Sequence, residues 1–275
     1  MICESVCSAA VSDLHPEEST RLINLTQFFF SSGAILGPLA LRWAMTRLGA
    51  LWQSLYVVYG AAFVVFLMLL ARLKLQKPHA VPGVSWQNPL RFLRRPAYRL
   101  LFIGILFYVG LENGVGCFVN TLFEDHLFTP AWGAYAISLF WAGTAVSRMV
   151  NGMRNTPAAR NVSVHFALSG VLLLGLALSG SPAMSLVLSA LVGYAYGPIW
   201  SGLVSLAAGE YPESSAGAVG LMGSGCGLGG ALYPVLMGAL ADAADIRVGF
   251  VLLAVTAVVG CLLGAQYDRN YEKLV

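Results

Sequence analysis

"HPEESTRLINLTQFFFSSGAILGP" (residues 15–38) returns as "YPESSAGAVGLMGSGCGLGGALYP" (residues 211–234), and this repeat decides the fold. Pro16, Glu17, Ser19, Leu25, Gly33, Leu36 and Pro38 recur as Pro212, Glu213, Ser215, Leu221, Gly229, Leu232 and Pro234, each 196 positions on and without a gap. Both copies open on Pro-Glu-x-Ser, which suits the first turn of a helix. Proline needs no amide donor there, and Glu and Ser side chains serve the unpaired N–H groups and the positive end of the helix dipole. A glycine-rich apolar run follows and ends at a proline, where a kink is expected.

Outward from the two copies the chain stays apolar. Hydrophobic residues make up 57% of its 275 positions and charged residues 11%; soluble domains carry about 25% charged residues. There is too little polar surface to cover a soluble globule, so the sequence reads as an integral membrane protein. Eight apolar stretches, near residues 22–41, 51–71, 100–123, 132–150, 162–178, 184–208, 216–240 and 248–266, are long enough, or nearly so, to span. Twenty residues rising about 1.5 Å each cover a hydrocarbon core of roughly 30 Å. The stretches are apolar on every face and lack the two-residue alternation of an outer-membrane barrel. They are therefore predicted to be helices, whose backbone groups are satisfied within the segment. The opening residues lack the basic start and apolar core of a signal peptide. The first ten are predicted to be the tail of a membrane helix.

Charge sets the orientation. Alternating loops put Arg21, Arg72, Lys74, Lys77, Arg91, Arg94, Arg95, Arg99, Arg148, Arg154, Arg160, Arg269 and Lys273 on one side, and Arg42, Arg47 and Arg247 on the other. That bias predicts a cytoplasmic basic side, a cytoplasmic C-terminus and a multi-pass protein of the plasma or inner membrane. The net charge of +3 is thus accounted for by topology and gives no indication of nucleic acid. The sequons at Asn24 and Asn161 fall in a span and on the cytoplasmic side, so neither is a glycosylation site. The basic, proline-bearing loop 74–98 reads as a cytoplasmic linker. It divides residues 1–73, a partial N-terminal half, from residues 99–275, a six-helix C-terminal half.

Both copies of the repeat leave the same side of the membrane, six spans apart. A parallel repeat of six helices is the architecture of the major facilitator superfamily, whose halves rock around a site near the bilayer midplane. The residues resemble that superfamily closely. "ESVCSAAVSDLHPEESTRLINLTQ" (4–27) is similar to the end of the fourth and start of the fifth helix of fucose-permease-like members, through Glu4, Leu14, Pro16, Glu17, Arg21, Leu22, Asn24, Leu25 and Gln27. "FYVGLENGVG" (107–116) resembles their seventh helix, "FWAGTAVSRMVNG" (140–152) their eighth, and "GYAYGPIWSGLVSLAAGEYP" (193–212) their tenth. Ser8 and Ala9 depart from a usual Asn-Pro, and Phe30 from a usual polar residue. The resemblance implies an all-α bundle of about eight transmembrane helices, equivalent to helices five to twelve of twelve. The first three helices and most of the fourth are then missing.

Charge within a span is costly, about 2.5 kcal/mol or more at its centre, so each such residue is a site candidate. Glu112 lies in the middle of a predicted span. At about 100° per residue it shares a face with Val109, Asn113, Gly116 and Asn120. That polar stripe reads either as a cavity-lining proton or substrate site or as a buried acid tying two helices together. Arg148 shares a face with Trp141, Thr144 and Ala145. It is placed to bind an anionic group or pair with Glu112, or to snorkel to the interface, or to make a gate contact with the next loop. Tyr196 and Trp200, four apart, read as a stacking platform for a sugar ring or as packing. The resemblance assigns Glu4 to the position of an acid linked to proton coupling. It assigns Gln27, with Asn24 nearby, to a cavity-facing polar position.

The glycines of "GAVGLMGSGCGLGG" (217–230) have no preceding strand or soluble helix, so they are not a dinucleotide fingerprint. They are predicted to let helices approach closely. Cys3, Cys7, Cys117, Cys226 and Cys261 have neither metal-site nor disulfide spacing and read as small buried side chains. No enzyme, metal or cofactor is implied. The reading is a secondary active transporter of a small polar solute, with sugar as the solute of the resembled branch and protons as coupling ion. Two alternatives use the same residues: a truncated chain that inserts without transporting and serves as an interaction partner, and a drug or metabolite efflux protein.

Overall fold

The computed structural model describes residues 2–49, 53–72, 89–154 and 156–270; the side chains of residues 2–5 and a few more between residues 38 and 55 lie outside the description. Every regular element among the described residues is helical. The long helices run in order α1 (Ile2–Leu14), α2 (Ser19–Leu48), α3 (Ser54–Arg72), α4 (Pro96–Thr121), α5 (Pro130–Gly152), α6 (Ala158–Leu178), α7 (Pro182–Glu210), α8 (Ser215–Ala243) and α9 (Ile246–Asn270). Prolines begin α4, α5 and α7, where their missing N–H has no partner to lose. Gly49, at φ 62°, closes α2 in the left-handed region open to glycine.

Five segments are long and apolar enough to cross a membrane by composition: Pro96–His126, Ala158–Leu178, Pro182–Glu210, Pro212–Ala243 and Ile246–Asn270. Tyr56–Arg72 is apolar but shorter. The described residues of the eight predicted spans fall on helices, apart from Gln53 in a turn. α2 and α5 match the five in length but are more polar, through Asn24, Gln27 and Ser31 on one and Thr144, Arg148 and Asn151 on the other.

Helices α4 to α9 form three close pairs, α4 with α8, α5 with α7 and α6 with α9. Glycines set the separation. A Cβ on Gly193 of α7 would stand 1.9 Å from the Phe140 carbonyl of α5, and one on Gly143 of α5 would stand 2.0 Å from the Ala190 carbonyl. A Cβ on Gly229 of α8 would meet the Leu106 carbonyl of α4 at 2.0 Å. The backbones therefore touch, as small residues allow where no hydrophobic effect drives helices together. The predicted close-approach role of the glycine run holds at Gly225 and Gly229, whereas Gly220 and Gly227 face open space.

Three readings are corrected. Both Pro-Glu-x-Ser turns are short 3-10 turns with no side-chain cap, at Pro16–Glu18 and Pro212–Ser214; the Ser215 hydroxyl turns outward to Asp13 instead. The four described cysteines are free, but Cys7 and Cys117 are exposed, because each sits on an outer helix face. The end of the predicted linker, residues 89–94, is a 3-10 turn, and α4 begins at Pro96. Residues 73–88 of that linker lie outside the described residues.

Candidate substrate and proton site

The site forms where α2, α4, α5 and α7 meet. Arg148 of α5 is at its centre and is only 2% exposed. Its Nη2 lies 3.5 Å from Glu112 Oε1 and donates to the Tyr108 hydroxyl at 3.3 Å. Its Nη1 donates to Ser31 Oγ at 2.5 Å and to the Gln27 carbonyl at 3.3 Å. The Phe30 ring lies 5.9 Å from the guanidinium carbon. One cation thus joins α2 to α4. The snorkelling alternative for Arg148 is overturned: a planar fork with acceptors on both sides is held inside, and the carboxylate offsets the charge it buries.

Tyr108 was not singled out from the sequence. It lies four residues before Glu112, hence on the same face, and its hydroxyl donates to Glu112 Oε1 at 2.8 Å. Around it stand Tyr196 and Trp200 of α7, with ring centroids 6.1 and 6.4 Å away. Tyr196 is fully buried against Phe140 and presents no open face for stacking in this conformation. The Tyr196 hydroxyl, Trp200 Nε1 and Arg148 Nε are buried with no hydrogen-bond partner among the described residues. The α7 helix brings these rings close because Gly193 and Gly197 let it lie against α5, where Thr144 also donates to the Gly193 carbonyl at 3.1 Å.

The other predicted residues divide. Asn24 is buried, donates to its own helix at the Thr20 carbonyl, and its Oδ1 has no partner among the described residues. Gln27 is buried and meets Arg148 through its carbonyl. Trp141 packs between Phe30 and Phe140, beside the cluster. Asn113 donates to the Val109 carbonyl and lies near Gly230 of α8. Asn120 is exposed and lies against Gly133, at the far end of α4, so the stripe does not act as one unit. Glu4 lies on α1, with its side chain outside the described residues. Among the described residues no cluster of three or more metal-ligating side chains occurs.

Residues 158–271 match the Major Facilitator Superfamily. The chain is 27% identical over 264 residues to the glucose/galactose transporter of Brucella abortus, covering 86% of this chain and 61% of that one. Its fold superposes on the Escherichia coli fucose:proton symporter with a TM-score of 0.81 at 16% identity, over 96% of this chain and 73% of that one. The superfamily match in sequence covers residues 158–271, and the chain as a whole shares the symporter's fold. A second structure of that symporter, in the outward conformation, superposes at 0.79. The facilitator fold makes the chain a multi-pass membrane protein, as its composition implies. It spans about three-fifths of the length of the curated relative, 61%.

Proposed function

We propose that the chain carries the transport path of a secondary active transporter of a small neutral sugar, coupled to protons, with its basic loops and C-terminus in the cytoplasm. The carrying observation is the buried Arg148–Glu112–Tyr108 cluster shared between α2, α4 and α5. Its charges cancel, which suits an uncharged solute. Three buried donors without a partner among the described residues, on Arg148, Tyr196 and Trp200, suit a ligand rich in hydroxyl oxygens. The glucose/galactose transporter and the fucose:proton symporter among the similar proteins point to the same class.

Glu112 is 18% exposed at its side chain while Arg148 is 2% exposed, so the acid is the more open member of the pair. A proton on Glu112 removes the carboxylate that holds Nη2. Arg148 then keeps only the neutral acceptors of α2 and the Tyr108 hydroxyl, and its tie to α4 weakens. Loading the acid thereby changes how firmly α2 is joined to the rest of the bundle. The test is Glu112→Gln, which keeps shape and mimics the protonated acid, in proteoliposomes given glucose, galactose or fucose. Exchange of solute should persist while accumulation driven by a pH gradient is lost. Unchanged accumulation with normal expression sinks the reading.

A further inference from the structure

The turn between α7 and α8, residues 210–215, is gripped from two directions. From one side come residues just before and within α4. The Arg95 guanidinium stacks 4.4 Å over the Tyr211 ring and donates to the Glu210 carbonyl. The Glu210 carboxylate, 3.9 Å from Arg95, also accepts from the Tyr267 hydroxyl at 2.7 Å. Arg91 donates to Ser214 Oγ at 3.1 Å, and the Tyr211 hydroxyl donates to the Phe92 carbonyl at 3.0 Å.

From the other side come α1 and α2, with contacts of a different kind. Thr20 Oγ1 and Ser205 Oγ are 2.5 Å apart, and the Ser215 hydroxyl donates to Asp13 Oδ1 at 2.5 Å. These are single hydroxyl contacts without stacking. Exchanged for water, the neutral Thr20–Ser205 bond contributes little net and the bond to the Asp13 carboxylate somewhat more, both weak enough to break and re-form.

We propose that Arg95 is a positioning residue that holds the α7–α8 turn fixed to α4, so that Ser205 and Ser215 meet Thr20 and Asp13 and close the basic-loop side of the path. When that side opens, the Thr20–Ser205 and Asp13–Ser215 contacts part, and the Arg95–Tyr211–Glu210 contacts stay. The linker end is then a clamp on one lip of the closure. This rests on the alternating-access part of the proposed function and is independent of which solute is carried.

The test is disulfide formation in membranes, with the five native cysteines replaced by serine. One pair, Thr20→Cys with Ser205→Cys, reports the closure. A second pair, Ser163→Cys with Gly264→Cys, reports the α6–α9 contact, where a Cβ on Gly264 would stand 3.4 Å from Ser163 Cβ. The readout is the ratio of the two cross-linking rates, which needs no transport and so fails separately from the sugar reading. Arg95→Ala should lower the ratio about tenfold, the loss of one cation–π contact and one net hydrogen bond. Arg95→Lys, which keeps charge without the planar stack, should recover only part of it. An unchanged ratio in Arg95→Ala overturns the proposal. Where that variant does not reach the membrane, Tyr211→Leu removes the ring beneath the guanidinium, with the same expected fall and the same overturning result.

Discussion

Helices α4 to α9 and helices α1 to α3 are built from similarly apolar sequence, yet they are held in opposite ways. In the first group, backbones touch at Gly143, Gly193 and Gly229, and a core from Tyr98 to Tyr267 is closed to solvent. In the second, every described side chain of α3 from Tyr56 to Arg72 is exposed. Helix α2 is tied in through Thr20, Arg21, Gln27 and Ser31, and a Cβ on Gly33 would meet nothing. Hydropathy alone does not join helices in a membrane. Backbone-to-backbone packing joins one group, and part of the other is joined to it by polar contacts together with apolar packing at Ala9, Ile23 and Leu25.

The comparison is broken most severely at a glycine crossing. Gly193→Leu puts side-chain atoms where the Phe140 carbonyl stands, 1.9 Å from the built Cβ, and α5 and α7 must separate. Gly33→Leu, with open space around it, is the matched control. Thermal unfolding in detergent should show a loss of about 3 kcal/mol or more for the first and little for the second. Equal losses would show that the two groups pack alike.

Next in size is the buried cation. Arg148→Met leaves the Glu112 carboxylate without its cation and removes both bonds to α2. The expected destabilisation is about 3–5 kcal/mol, the usual consequence of removing one member of a buried pair. The double variant Arg148→Met, Glu112→Leu should recover much of it, since no charge is then buried alone. Failure to recover would mean that the α2 contacts, and not the charge pair, carry the stability.

A smaller effect is expected at Tyr108. Tyr108→Phe keeps the ring against Tyr196 and Trp200 and removes the hydroxyl between Arg148 and Glu112. The loss should be about 1–2 kcal/mol by the same melts, with the dependence of solute exchange on pH displaced from the parent profile. A profile that coincides with the parent would remove Tyr108 from the proton path.

The smallest effect belongs to the surface. The hydrogen bonds of Arg247 hold the Asp245 carboxyl below its ordinary value of 3.8. A folded-state value lower than the unfolded one stabilises above the unfolded value and ceases to do so as pH falls through the folded one. Asp245→Asn should therefore change the melt only slightly near neutral pH, with any difference fading as pH falls below 3.8 and through the lower folded-state value. A larger effect would make this exposed turn part of the packed group.

Spans and repeat were legible because they depend on composition and on one fixed offset. The pairing of Arg148 with Glu112 was one of two open readings, since 36 residues of separation hide whether two helix faces meet. Tyr108 was hidden because a tyrosine in an apolar run reads as packing, although its place four residues before an acid was the available signal. Asn120 was misjoined to the site because a shared helix face says nothing about depth. The first turns were misread because Ser215 had a partner on another helix, Asp13, that no local pattern encodes.

The Thr20–Ser205 contact has a consequence for ionic strength. Either hydroxyl can be the donor, and neither carries a charge. Dissolved ions screen interactions between charges over about 8 Å at 0.15 M salt and leave a contact between two neutral dipoles almost untouched. That pair's share of the proposed closure is therefore nearly the same in dilute buffer and in brine, whereas the contact of Ser215 with the Asp13 carboxylate involves a charge and responds to salt.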